Sequence, residues 1–154
     1  MGIDAKFTQA DVSNRFDKFI GVIEKRQVER MMYLGEKCVT HAKLIPELVG
    51  FTDQTGALRS SIGYAVFKDG VAVHMDYQQV GEGAEGVKKG QALAAKVAKK
   101  YPKGILLVVT AGMEYAIYVE SKGRDVLSSA EHLAQQELPK MIKALKENIN
   151  KALK

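Results

Sequence analysis

The sequence has no apolar run of about 18 residues, the length that a membrane-spanning helix needs. It has no internal repeat or low-complexity segment, and its single cysteine, Cys38, excludes an internal disulfide. A reducing cytoplasm is therefore the expected place of synthesis. The composition is that of an ordinary globular protein, with 46% hydrophobic and 27% charged residues in a chain of 154. We expect one domain over residues 1–154, with residues 1–10 disordered.

Acidic residues are missing from one long interval, because none lies between Glu85 and Glu114. The net charge of the chain is +5, and six of its lysines fall inside this interval. These are Lys88, Lys89, Lys96, Lys99, Lys100 and Lys103. Such a cluster is either the solvated face of a helix or a surface that attracts nucleic acid or an acidic protein. A nucleic-acid-binding or regulatory module that uses a basic helix over 88–103 is thus one alternative for the function.

Hydrophobic periodicity predicts helices at both ends of the chain and a strand between them. Gly35 is a place where the first helix can break, and Pro139 should kink or divide the last one. Residues 115–120 fit a helical turn as well as a strand. The predicted elements are helices over 11–45, 88–101 and 127–153 and a buried strand over 105–110.

A β-hairpin is predicted over residues 61–77, because Asp69-Gly70 suits a two-residue type I′ turn. Pairing outward from this turn places Val66 opposite Val73. The apolar face in this register consists of Ile62, Tyr64, Val66, Val73, Met75 and Tyr77. The other face is mixed, so we expect helices to cover one side only. The predicted fold is α+β, a small antiparallel sheet with a long N-terminal helix and a C-terminal helix packed on it.

The stretch VGEGAEGVKKG, residues 80–90, has the G-x-G-x-x-G spacing of a dinucleotide-binding loop. Such a loop follows a parallel strand and needs an acid about 20 residues later. Here the preceding strand belongs to a hairpin, Glu82 and Glu85 would face the pyrophosphate, and Leu106 takes the place of the acid. Lys89 is followed by glycine and not by Ser or Thr, which argues against a P-loop. We predict a mobile connector between hairpin and helix, able to reorder on docking.

No set of residues in the sequence forms a convincing catalytic or metal site. His74 and Asp76 would lie on one side of a strand, but a third ligand is not evident. Cys38 and His41 lie on one helix, where a buried free cysteine is a commoner state than a nucleophile. No serine has a G-x-S-x-G context. We therefore expect no enzyme, no cofactor and no bound metal.

Two stretches carry motifs that composition does not explain, TDQTGALRSSIGYAV at 52–66 and AGMEYAIYVESKG at 111–123. With the order of the elements, T-G-x-L-R-x-S-I and Y-A-x-Y-V-E-x-x-G resemble the tail-completion or head–tail joining proteins of long-tailed bacteriophages and prophages, also called minor tail components. The resemblance covers roughly residues 10–150. The matching residues are Thr55, Gly56, Leu58, Arg59 and Ser61 in the first motif and Tyr115, Ala116, Tyr118, Val119, Glu120 and Gly123 in the second.

The resemblance implies a structural virion protein with a tail-terminator-like or connector-like fold. It implies a ring of about six copies between head and tail, even if the isolated chain is a monomer. The implied partners are copies of itself, tail-tube proteins and head-connector proteins, met in the host cytoplasm during assembly and then in the virion. Relatives often continue as E-F-G-T, whereas this chain reads E-S-K-G from Glu120.

Charged residues are the expected docking groups within this resemblance. Arg59 and Glu120 are candidates to pair across subunits, with an ordinary intrachain ion pair as the equal alternative. The lysine stretch, with Lys96, Lys99 and Lys100 at its centre, and the glycine stretch are candidates to meet the next ring or the exiting genome. Any DNA contact by these lysines should be non-specific and salt-sensitive.

Overall fold

The computed structural model describes residues 6–154 and contains a three-stranded antiparallel sheet in the order β2-β1-β3. The elements are α1 (Gln9–Lys43), α2 (Ala57–Ser61), β1 (Ile62–Lys68), β2 (Val71–Asp76), α3 (Ala84–Ala98), β3 (Ile105–Ala111), α4 (Ala116–Ser121) and α5 (Ser128–Ala152). The predicted α+β class is confirmed, with long N-terminal and C-terminal helices packed on a small antiparallel sheet. Among residues 6–154, no helix is both long and apolar enough to cross a membrane.

The helix α1 begins at a capping box and runs without a break through Gly35. The Thr8 hydroxyl accepts from the Asp11 N–H at 3.2 Å, and the Asp11 carboxylate accepts from the Thr8 N–H at 2.8 Å. The helix therefore begins inside the segment 1–10 that we expected to be disordered, of which residues 1–5 lie outside the described part. Gly35 allows α1 to pack closely on β1, because a Cβ there would overlap the Tyr64 ring.

The hairpin turn between β1 and β2 is the predicted one. The backbone angle φ is 49° at Asp69 and 81° at Gly70, the left-handed values that a type I′ turn needs. The strands leave the turn in the predicted register, with Phe67 opposite Ala72. A β-bulge next to Val66 then shifts the pairing by one residue.

The register predicted beyond this bulge is wrong. Val66 lies opposite His74 and Tyr64 lies opposite Asp76, each one residue further along β2 than predicted. A shift of one residue exchanges the two faces of a strand. His74 therefore lies on the same face as Tyr64, with its Nε2 3.1 Å from the Tyr64 hydroxyl oxygen. The predicted register is wrong beyond Val66 because it assumed continuous pairing outward from the turn, without a bulge.

Helices cover both faces of the sheet, although the sequence predicted only one. On the first face, Leu34 of α1 and Ala130 of α5 share a core cluster with Ile62 of β1. On the second face, α3 packs on Ala65 and Phe67 of β1. The sequence predicted a mixed second face because the predicted register placed His74 and Asp76 there, and the bulge moves both residues to the first face.

The helix α3 begins at Ala84, four residues before the predicted start, so most of the glycine stretch 80–90 is helical. A Cβ on Gly83 would overlap the Ser60 hydroxyl, and a Cβ on Gly86 would overlap the Ala57 carbonyl oxygen. The prediction of a mobile connector is therefore wrong. These glycines let the backbones of α3 and α2 approach closely.

After β3, the rest of the chain is helical apart from short connections. Residues 115–120, which fitted either a helix or a strand, contribute to α4. The proline at 139 lies inside α5, and the helix continues through it as one element, so the predicted division does not occur.

Candidate interaction surfaces

The first motif, T-G-x-L-R-x-S-I, builds the turn that leads into α2. The Asp53 carboxylate accepts from the backbone N–H of Gly56 at 3.1 Å and of Arg59 at 2.7 Å. Gly56 has a φ of 80°, and a Cβ there would overlap the Val80 carbonyl oxygen. Glycine is therefore required at this position for both its angle and its size. Thr55, at the start of the motif, is exposed.

Two further residues of the first motif face the interior. Leu58 is 2% exposed and belongs to the main core cluster. The buried Ser61 hydroxyl donates to the Leu58 carbonyl oxygen at 2.7 Å and accepts from the Met113 N–H at 3.3 Å. These two residues fix α2 against the sheet and are not accessible to a partner.

Arg59 and Glu120, the residues expected to pair, each have other partners within the chain. The Arg59 guanidinium donates to the Lys43 carbonyl oxygen at 2.9 Å and lies 5.4 Å from the centre of the Phe51 ring. It thereby satisfies one of the carbonyl groups that the end of α1 leaves unpaired. The predicted intrachain pair of Arg59 with Glu120 is not formed among the described residues.

Glu120 caps the N-terminus of α5 from the preceding helix α4. Its Oε1 accepts from the N–H of Leu127 at 3.1 Å, and from the N–H and hydroxyl of Ser128 at 2.7 Å and 2.6 Å. Burial raises the pKa of this carboxyl group. The hydrogen bonds from Ser128 and Leu127 outweigh burial and hold the pKa of Glu120 below its usual range.

The capping role of Glu120 predicts a pH-dependent stability. Because the folded state lowers the pKa, the stabilisation is complete above the unfolded-state pKa and is lost as pH falls through the folded-state value. Glu120→Gln should therefore lower the free energy of unfolding by about 1 kcal/mol at pH 7 and by much less near pH 3. Urea unfolding at both pH values measures this, with Glu147→Gln, an exposed glutamate of α5, as the control. An equal loss at both pH values would contradict the capping role.

The second motif, Y-A-x-Y-V-E-x-x-G, forms α4 and the turn after it. Its inward residues, Ala116 and Val119, pack on the main core cluster. Gly123 has a φ of 79°, the left-handed value that commonly ends a helix. Tyr115 and Tyr118 are exposed. The motif thus combines a structural side with an outward aromatic side.

One apolar surface, the α4 patch, lies where α1 ends. Arg124 joins its two segments, because its Nη1 donates to the Leu48 carbonyl oxygen at 2.7 Å. We define the α4 patch as the exposed side chains of these two neighbouring segments, Ile117 and Tyr118 on α4 and Leu44, Leu48 and Val49 after α1. Large apolar side chains grouped on a surface indicate a binding site.

A second apolar surface, the helical arm, lies at the other end of α1. Glu24 pairs with Lys68 next to the hairpin turn, so the residues of α1 before Glu24 extend past the end of the sheet. Phe19 of this segment lines a groove with Leu145 and Ile149 of α5. The exposed apolar side chains of the arm are Phe7, Val12, Phe16 and Val22, together with Leu153 after α5. The part of α1 from Glu24 to Lys43 separates the arm from the α4 patch by about 30 Å.

The helix α3 presents a basic face on the side away from the sheet. Its buried side consists of glycine and alanine, at Gly86, Gly90, Ala94 and Ala98. The exposed lysines are Lys88, Lys96, Lys99 and Lys100 on and just after the helix and Lys103 in the following turn. We call these five residues the lysine face.

Lys89 and Tyr101 differ from what the lysine stretch alone suggests. Lys89 lies outside the lysine face and pairs with Glu85 at 3.0 Å and Glu114 at 3.5 Å. Tyr101 is 56% exposed beyond the end of α3. The helix does not bury Tyr101, because α3 ends at Ala98 and its buried side is filled by smaller residues.

The candidate catalytic residues do not gather into a site. The Cys38 thiol is buried and donates to the Ala130 carbonyl oxygen at 3.7 Å. Burial raises the pKa of this thiol, which keeps it protonated at neutral pH. His41 instead contacts Ser129, with 2.9 Å between Nε2 and the hydroxyl oxygen. In the described part of the chain, no three His, Cys, Asp or Glu side chains are grouped to hold a metal ion.

Comparison of the chain with protein-family models, curated proteins and solved structures finds no match. The features of the chain that bear on its function are therefore two motifs and three surfaces. The motifs hold α2, α4 and the end of α1 together, and the surfaces are the α4 patch, the helical arm and the lysine face.

Proposed function

We propose that this chain is a structural virion protein that joins or completes a phage tail at the head–tail interface. It acts by ring assembly and by docking against other virion proteins. The order of the elements and the two motifs support this proposal. The observation that carries it is the position of the helical arm and the α4 patch at opposite ends of α1.

Two different apolar surfaces about 30 Å apart favour head-to-tail association. A two-fold contact that pairs either surface with itself covers that surface alone and leaves the other in water. A contact between the arm of one copy and the α4 patch of the next covers both. Repetition of this contact closes a ring if the rotation allows it, and about six copies is the number that the resemblance implies.

The matched motif residues hold in place the elements that carry the α4 patch. Arg59 holds the last carbonyl groups of α1, and Glu120 holds the start of α5. Leu58 and Ser61 anchor α2 under the same region. In the proposed ring, these residues place the α4 patch, and Tyr115 and Tyr118 are the motif residues that contact a neighbour.

The decisive experiment is deletion of the gene from a phage or prophage genome that encodes it. We expect filled heads and finished tails that remain separate in electron micrographs. Infectious particles should return when the wild-type chain is supplied from a plasmid. Normal joined particles from the deletion would overturn the proposal.

A matched pair of substitutions tests the arm itself. Phe16→Asp places a charge in the proposed contact and should cost about 3 kcal/mol or more, which weakens association over a hundredfold. Val71→Asp is the control, because Val71 is 67% exposed against 63% for Phe16 and lies on β2, outside both apolar surfaces. Only Phe16→Asp should fail to restore joined particles. Equal rescue by both variants would remove the arm from the contact.

A further inference from the structure

We propose that the lysine face of α3 binds the phosphate backbone of duplex DNA without sequence preference. This goes beyond the joining function and does not rest on it, because it is a property of the isolated chain. The lysine face consists of Lys88, Lys96, Lys99, Lys100 and Lys103, all exposed and none of them in an ion pair within residues 6–154.

The geometry of α3 turns these lysines to one side. Gly86, Gly90, Ala94 and Ala98 form the buried stripe, at steps of four residues. At 100° per residue, Lys88 and Lys96 lie on the side of α3 opposite that stripe, and Lys99 and Lys100 follow in the turn after Ala98. They extend over roughly 18 Å along the axis, which corresponds to about five base pairs of duplex.

Contacts on the buried side of α3 fix its position on the sheet. A Cβ on Gly90 would lie 2.5 Å from the Tyr77 ring, and Thr110 donates to the Gly90 carbonyl oxygen at 3.3 Å. The lysine side chains therefore project from a fixed backbone, and less order has to be imposed on binding.

Charge and composition favour a phosphate backbone over an acidic protein. No acidic residue lies in the sequence between Glu85 and Glu114, so the lysine face has no local counter-charge from its own segment. Apart from Tyr101 at its end, the exposed side of α3 has no large apolar side chain. Protein interfaces normally need an apolar centre that excludes water, whereas phosphate contacts do not. Tyr101 offers an aromatic ring next to three of the lysines.

The test is fluorescence anisotropy of a labelled 20-base-pair duplex of random sequence, titrated with the purified chain between 50 and 200 mM salt. With four to five phosphate contacts, the logarithm of the affinity should fall with the logarithm of salt at a slope of about −4. The affinity then drops roughly two hundredfold over this range. The same titration is repeated with a labelled polyglutamate peptide.

The variant K96Q/K99Q/K100Q should reduce the salt slope by about three. The variant K143Q/K146Q/K151Q is the matched control, because it removes the same charge from exposed positions of α5 and should leave the slope near its wild-type value. Circular dichroism checks that both variants remain folded. Absence of duplex binding at 50 mM salt, equal slopes for the two variants, or tighter binding of polyglutamate than of DNA would each overturn the inference.

Discussion

Gly86→Ala is expected to lower the free energy of unfolding by about 3 kcal/mol, although alanine normally stabilises a helix relative to glycine. The new Cβ would overlap the Ala57 carbonyl oxygen, which belongs to the backbone and cannot rotate away. The helix α3 would have to move off α2 and lose packing along its buried stripe. Urea unfolding followed by circular dichroism measures the change.

The control for this prediction is Gly21→Ala on α1. Gly21 is also inside a helix, but a Cβ there would have no atom within 4 Å. This variant should be more stable than wild type by about 0.5–1 kcal/mol. The two substitutions should therefore change the free energy of unfolding in opposite directions. This difference distinguishes Gly86, where α3 approaches α2 closely, from Gly21, which is merely exposed. A gain in stability from both substitutions would contradict the close packing of α3 on α2.

Leu58→Ala is expected to destabilise the chain by about 3 kcal/mol, because it opens a cavity in the main core cluster. Leu58 is only 2% exposed, so truncating its side chain leaves a cavity that the surrounding side chains cannot fully fill. Thermal and urea unfolding measure this effect. The volume-conserving Leu58→Met should cost less than about 1.5 kcal/mol.

Leu48→Ala is the matched control, because Leu48 is 87% exposed in the α4 patch. It should change the free energy of unfolding by less than about 0.5 kcal/mol. In phage, Leu48→Ala should impair joining without unfolding the chain, whereas Leu58→Ala should act through stability. If Leu58→Ala left unfolding unchanged, the residue would have to contact a partner and not the core.

The types of the secondary-structure elements were predictable because they depend on local periodicity. The apolar stripe of α1 and the Asp69-Gly70 turn both act over a few residues, and both are found where the sequence placed them. The pairing of β2 beyond the bulge depends on one extra residue in β2, which no periodic pattern in the sequence predicts. The start of α3 was missed because Gly83 and Gly86 read as a loop until their contacts with α2 are known.

The partners of the motif side chains were not predictable for a different reason. Arg59 binds a backbone carbonyl group at the end of α1, and Glu120 binds backbone N–H groups at the start of α5. Every residue carries such groups, so residue types give no signal for these contacts. The lysine face, in contrast, was visible from charge spacing alone, because exposed charge needs no specific partner inside the fold.

The unbroken helix α1 has a mechanical consequence for any assembly that uses both of its ends. Arg59 fastens its C-terminal end to α2, while its N-terminal turns extend past the sheet alongside the end of α5. A tilt of about 5° at the fastened end moves the tip by about 4 Å over a rod of 50 Å. In the proposed ring, small adjustments where one subunit contacts the next would thus be amplified at the far end, which would let the ring match its diameter to that of a tail tube.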